Sequence, residues 1–325
     1  MNKIIQKSTK KQHYVPQFYL RQWTDSTRGF YPIKILNKKP PQLKIFDRKS
    51  GPASFCFENY FYAQHTGKED EISQTLEKYF AEIEAIFASK LPELEQKILN
   101  GEQITSDDKY HLCECMLFLH FRGKKYRQQS QEMSESMIKQ VNKHLAYYSD
   151  KSPKTKLKME ELGLTKKDMI EFAEKGEYTV DFGNMHHLEI MKDMEGFCNM
   201  LHAKYWKVYI TRNSDFITTD TPYQDLPTSD KFWGNDFLSR EQRFVLSPRV
   251  VIVALYPKDQ NSKNFHRKDI TGNNGSIHII NSDILMNSIS FGFHKDKNVL
   301  EVLDKVVHFR HSEHQKNRQP ESYRN

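Results

Sequence analysis

His13 and Gln17 set an imidazole and a carboxamide four residues apart, near the start of the sequence. On a first helical turn such a pair projects from one face, and a neutral imidazole beside an amide suits proton transfer or metal binding. The same spacing also serves structure, with His13 capping the helix and Gln17 satisfying backbone groups. Glu77 and Glu84 are seven apart, which puts them on one helical face flanking the Phe80–Phe87 stripe. Carboxylates beside aromatics acquire raised pKa values, so the two can serve as acid or base. With Asp220 they could also hold a divalent cation, Mg²⁺ or Mn²⁺ being the ions that oxygen ligands of this kind take. A solvated helix edge that also carries Glu82 accounts for them too.

Arg122, Lys124, Lys125 and Arg127 gather four cations around Tyr126. Guanidinium forks suit phosphate or carboxylate, and cations near a helix end also complement the macrodipole without any ligand. Asp220 lies in Thr218-Thr219-Asp220-Thr221-Pro222 after a predicted strand. That is a place for a metal ligand or a base, and it is also good turn chemistry. Ser247 precedes Pro248 without the glycines of a nucleophile elbow and reads as a turn residue. His111 and Cys115 have an i, i+4 spacing, but no second pair with zinc spacing follows. His308, His311 and His314 would converge only if the C-terminal tail were helical. Neither G-x-x-x-x-G-K-[ST] nor G-x-G-x-x-G occurs, which disfavours nucleotide cofactors bound by those routes.

These residues must be positioned by elements that the patterning predicts. His13–Trp23 is apolar and aromatic, with helical spacing after Pro16. Residues 30–36 and 43–47 alternate as a hairpin would, around NKKPPQ. From Glu69 to Leu99 apolar residues recur at three and four, an amphipathic helix that Asn100-Gly101 ends. Thr105 and Asp108 form a capping box for a second helix, and helix resumes through 133–145. Residues 149–158 read as a loop, followed by helices over 165–175 and 186–203. Beyond Lys204 come β-branched or aromatic runs, read as strands at 205–210, 216–218, 250–256 and 276–280, with a helix at 283–293. The expected class is α+β: an N-terminal segment and hairpin, a helical middle, and a mainly antiparallel C-terminal sheet. The expected organisation is a basic arm (1–12), one merged domain (13–310; helical over 68–203, β-rich over 204–310) and a disordered tail (311–325).

Composition bounds the function classes. The chain has 325 residues, 37% hydrophobic and 12% aromatic, enough for a sizeable core. No apolar h-region opens the sequence and no apolar run approaches a membrane span, so neither secretion nor a membrane partner is expected. Four scattered cysteines make no disulfide framework, which favours a reducing cytoplasm. Of the net charge of +7, residues 1–50 carry twelve Lys/Arg against two acids. The remaining 275 residues therefore sum to −3. A basic stretch on a slightly acidic body suits phosphate, so residues 1–50 and 122–127 are expected to meet nucleic acid.

His13-Tyr14-Val15-Pro16-Gln17-Phe18-Tyr19-Leu20-Arg21 resembles the opening signature of the bacterial family catalogued as domain of unknown function 4238. In the family's order follow Tyr60-Phe61-Tyr62, the helix at 76–87, the Arg122/Arg127 pair, Trp206, the 216–222 turn and Leu246-Ser247-Pro248. Thr219 and Thr221 stand where the family usually has Ser and often Asn, and Gly123 follows Arg122 where a proline is usual nearby. The resemblance supplies positions and implies no reaction. Taken with the residue chemistry, the expectation is a nuclease or phosphodiesterase-like hydrolase of bacterial defence or toxin type. Its acid–base or metal work would fall to His13, Gln17, Asp220, Glu77 and Glu84, and its substrate contacts to Arg21, Arg122 and Arg127. The rival expectation is a non-catalytic module that binds an anionic ligand or a protein, its polar network being structural.

Overall fold

The structure, a computed structural model, describes residues 9–65, 72–73, 75–180, 182–213, 215–226, 241–255 and 265–316. Expectations for arm residues 1–8 and tail residues 317–325 lie outside the described residues. The N-terminal part comprises β1 (Lys11–His13), α1 (Gln17–Leu20) with a 3₁₀ turn (Arg21–Trp23), β2 (Tyr31–Lys38), β3 (Pro41–Ile45), β4 (Phe57–Asn59), β5 (Gln64–His65) and β6 (Ile72–Ser73). The helical part has α2 (Thr75–Asn100), α3 (Ser106–Phe121), α4 (Lys124–Tyr147), α5 (Pro153–Glu161), α6 (Lys166–Lys175), α7 (Met185–Lys192) and α8 (Met194–His202). There follow β7 (Tyr205–Ile210), β8 (Thr218–Thr219), β9 (Tyr223–Leu226), β10 (Glu241–Ser247), β11 (Val250–Leu255), β12 (Phe265–Asp269), α9 (Asn274–Met286), β13 (Phe291–His294) and α10 (Lys297–Lys316). The class is α+β.

Two helices, α2 and α3, enter the core for opposite reasons. α2 buries a stripe, with Leu76, Phe80, Phe87, Leu91, Leu94 and Ile98 inward at three- and four-residue steps. α3 is apolar on nearly every side from Leu112 to Phe121 and is accordingly buried all round. The Thr105–Asp108 capping box starts α3 as expected, each side chain bonding the other's backbone N–H. Behind them stands a five-stranded sheet, order β12-β7-β11-β10-β9, antiparallel except for the β12/β7 pair.

The second sheet joins the two ends of the chain. Its order is β3-β2-β13-β8, so the N-terminal hairpin receives β13 on its free edge, with Phe293 opposite Pro32 on one side and Thr218 on the other. Glycine is needed at 292: a Cβ there would sit 2.9 Å from Leu285 Cδ1 and 3.0 Å from Ile33 Cγ2. One hydrophobic cluster runs from Val15 through α2 and α3 to Val307.

Several expectations on elements are corrected. Residues 149–158 are a 3₁₀ turn and most of α5, because Ser152 caps the backbone of Thr155 and Pro153 suits a first helical position. Residues 276–280 are helical, within α9, since Asn273 caps at Ser276 and the apolar run continues at helical spacing. The helix expected over 283–293 ends at Met286, and Phe291–His294 is a strand. Residues 311–316, expected in the tail, continue α10.

Candidate functional site

The site begins with strand alternation. β1 pairs antiparallel with β4, His13 opposite Phe57 and Lys11 opposite Asn59. Gln12 turns inward, where its Oε1 accepts the Tyr62 N–H at 2.6 Å, leaving Lys11 and His13 on the other face. Pro16 ends the extended run and opens α1, so Gln17 comes back beside His13, its Nε2 3.5 Å from the imidazole Nδ1. His13 thus lies on a strand rather than on the helical turn that its spacing suggested.

α2 forms the facing wall, presenting Glu77, Glu84 and the small residues Ala81, Ala85 and Ala88. The floor is Arg122, the C-cap of α3, whose side chain is 1% exposed. Its Nη1 donates to Glu84 Oε1 at 2.5 Å and its Nη2 to the His13 carbonyl at 2.6 Å. The guanidinium carbon stands 4.9 Å from the Phe118 ring centroid and 5.1 Å from that of Phe80. One buried cation therefore ties β1, α2 and α3 together. Between the walls is an open cleft of about 420 Å³, with Lys11, Phe18 and Arg21 on the side opposite α2.

The electrostatics divide the titratable groups. Burial, aided by the Arg122 charge and less by Lys11, pulls the His13 imidazole down to about 4 against a carbonyl contact from Ala53. It is therefore neutral at pH 7. Glu77 moves the other way: burial raises it above the usual carboxylate range, with Glu84 adding and Arg122 opposing. Its Oε2 is buried and has no hydrogen-bond partner among the described residues.

Six expected site residues, His13, Gln17, Arg21, Glu77, Glu84 and Arg122, line this one cleft. Asp220 is elsewhere. It is 3% exposed and accepts backbone N–H groups from Ile289 (3.0 Å), Ser290 (2.8 Å) and Phe291 (3.0 Å). Burial raises it to about 6 in spite of those bonds. Together with Val15 it borders a cavity of only about 10 Å³. The convergence of His13 and Asp220 is thereby corrected, because Asp220 binds the β8 turn to the entry of β13. The cation site expected from Glu77, Glu84 and Asp220 loses its third ligand, and among the described residues no three His, Cys, Asp or Glu side chains gather as metal ligands would.

The cationic patch is also dispersed. Arg127 donates to the Phe61 carbonyl at 2.7 Å and lies over the Phe61 ring, away from the cleft. Lys124 pairs with Glu58, and Lys125 donates to the Asn287 carbonyl at 3.1 Å. His111 contacts Lys90 and Glu114 rather than sharing a metal with Cys115, which is buried. Ser247, read as a turn residue, ends β10 and donates to Glu95 at 2.7 Å. Lys11 and Phe18 were missed as lining residues; the signal for Lys11 is its two-residue spacing from His13 on a strand. Phe18, within the apolar His13–Trp23 segment, is half-buried and lines the cleft.

Comparison with curated proteins and with solved structures gives no match. The family model described as protein of unknown function (DUF4238) matches residues 11–298, nearly the whole described chain. The signature at His13–Arg21 and the 216–222 turn both fall inside that span, and the chain belongs to this family.

Proposed function

We propose that the protein is a hydrolase of phosphate esters, of nuclease or phosphodiesterase type, that works in the cleft between β1–α1 and α2. One observation carries this reading: a neutral imidazole, a carboxyl held toward its protonated form and two exposed cations share a single open cleft. His13 would take the proton of the attacking water, and Glu77 would give its proton to the leaving oxygen as the P–O bond breaks. Lys11 and Arg21 would compensate charge developing on the non-bridging oxygens. Gln17 would orient the imidazole, while Arg122 and Glu84 would position His13 and Glu77 from below. A phosphate entering beside His13 favours the imidazolium, which raises its basicity when substrate is present.

The four cysteines are free and buried, which fits a reducing cytoplasm, and among the described residues no helix is long and apolar enough to cross a membrane. A bacterial defence or toxin role and nucleic-acid attraction through the basic N-terminal stretch belong to the same proposal. The rival reading, a binding module, draws on the Asp220 network, where every carboxylate oxygen is engaged by backbone. The test is turnover of end-labelled RNA, single- and double-stranded DNA and a nitrophenyl phosphodiester, with Mg²⁺, with Mn²⁺ and with chelator. Cleavage of at least one substrate is expected. Tight binding of an anion without any turnover would hand the reading to the module.

A further inference from the structure

We propose that the protein forms a two-fold homodimer through the outer face of α4, the two copies of the helix running antiparallel. The outer face carries Met133, Met137, Val141 and Leu145 at four-residue steps, and they are 62%, 59%, 53% and 62% exposed. Tyr148, 57% exposed, extends the row past the helix end. At 1.5 Å per residue the four-residue row is about 18 Å long. Apolar side chains in water at this density mark an interaction surface, whereas scattered single ones would not. The opposite face of α4 is already covered: Gln131 donates to the Val180 carbonyl, Asn142 donates to Tyr178, and Ala146 is buried.

The partner follows from charge. One flank of the row runs Glu132, Ser136, Gln140, Lys143, acidic at its N-terminal end and basic at its C-terminal end. Among the described residues neither Glu132 nor Lys143 has an ion-pair partner, whereas the neighbouring Glu135 and Lys139 pair with each other at 2.7 Å. A groove of about 470 Å³ lies along this flank. In an antiparallel pair related by a two-fold axis the same flank meets itself reversed. An axis between positions 137 and 138 sets Glu132 against the second copy's Lys143, twice, and interleaves the methionines. A parallel pair would oppose Glu132 to Glu132 and Lys143 to Lys143, and is disfavoured. The helix is thus self-complementary in one direction only.

Sedimentation equilibrium of the full chain tests this directly. A dimer is expected, and Met137→Lys should weaken it by at least about 100-fold, as a charge set in an apolar interface centre does. Because Met137 is exposed, circular dichroism of that variant should match the parent. Glu132→Lys should weaken the dimer several-fold, and adding Lys143→Glu should restore it. For direction, Met137→Cys should give an oxidised covalent dimer and Met133→Cys should not, the native cysteines being buried. A monomer at about 100 µM would overturn the proposal, since a specific interface of standard size holds below that concentration. So would a dimer indifferent to Met137→Lys, or cross-linking of Met133→Cys as efficient as that of Met137→Cys.

Discussion

His13 and Asp220 are both candidate acid–base groups in the sequence, and the structure gives them opposite surroundings. His13 is held neutral by burial and by Arg122 at the edge of an open cleft. Its acid limb in kcat/KM should therefore lie near pH 4, and a limb at the ordinary 6.5 in a pH–rate profile would count against His13 as the base. Asp220 is sealed, and its oxygens receive three backbone N–H groups. Asn can offer only one oxygen and turns an N–H₂ toward donors, so Asp220→Asn should cost about 1–3 kcal/mol at pH 5. The folded-state value, about 6, lies above the ordinary carboxylate value of 3.8. The stability from this carboxyl is thus fully present below that ordinary value and lost as pH rises through about 6. The deficit of Asp220→Asn should therefore shrink at pH 8. Urea unfolding at the two pH values checks this, and a deficit that grows at pH 8 would refute the raised carboxyl. From sequence, the spacing rules found His13, Gln17, Glu77 and Glu84, which line the cleft. They could not separate Asp220 from them, since only the pairing of β8 with β13 shows which backbone N–H groups it serves.

At the scale of elements, α1 is held to the C-terminal strands by hydrogen bonds within an apolar contact. Tyr19 Oη lies 2.9 Å from Thr218 Oγ1 and donates to the Val245 carbonyl at 2.5 Å, and Trp23 Nε1 donates to the Phe216 carbonyl at 2.8 Å. Both side chains are fully buried. Tyr19→Phe leaves Thr218 and that carbonyl unpaired and should cost about 1–3 kcal/mol in unfolding by urea. No loss would mean that α1 is not anchored there. Arg122 is the other clamp. Arg122→Ala strands Glu84 and the His13 carbonyl; the cost should be about 2–3 kcal/mol, below that of a fully buried pair because Glu84 is over a quarter exposed. The long helices were legible because α2 has a single stripe and α3 a capping box. α9 was not, because an Ile-rich run of this length suits a buried strand or a buried helix equally, and β13, Phe291–His294, is too short to show a period of its own. The Asn273 cap decides for helix at α9, and the edge of β2, a strand far away in sequence, decides for strand at β13.

Across the whole molecule, the cleft is assembled from the start of the chain, α2 and the end of α3, with the hairpin locked in place by β13. Of the twelve Lys/Arg of residues 1–50, Lys11 and Arg21 line the cleft. Neutralising both should reduce the log–log salt slope of RNA binding by about two, one per phosphate contact, and an unchanged slope would remove them from the contact surface. That residues so distant would meet was legible only through the family resemblance; spacing works within an element and is silent on sheet order. Under the proposed function, chemistry belongs to the His13–Glu77 cleft and architecture to Asp220. The two roles are separated by kcat/KM of His13→Ala and Asp220→Asn on one phosphodiester substrate, normalised to folded protein. His13→Ala should fall by at least about 100-fold while Asp220→Asn stays within a few-fold of the parent. Full activity in folded His13→Ala, or a 100-fold loss confined to Asp220→Asn, would contradict that division.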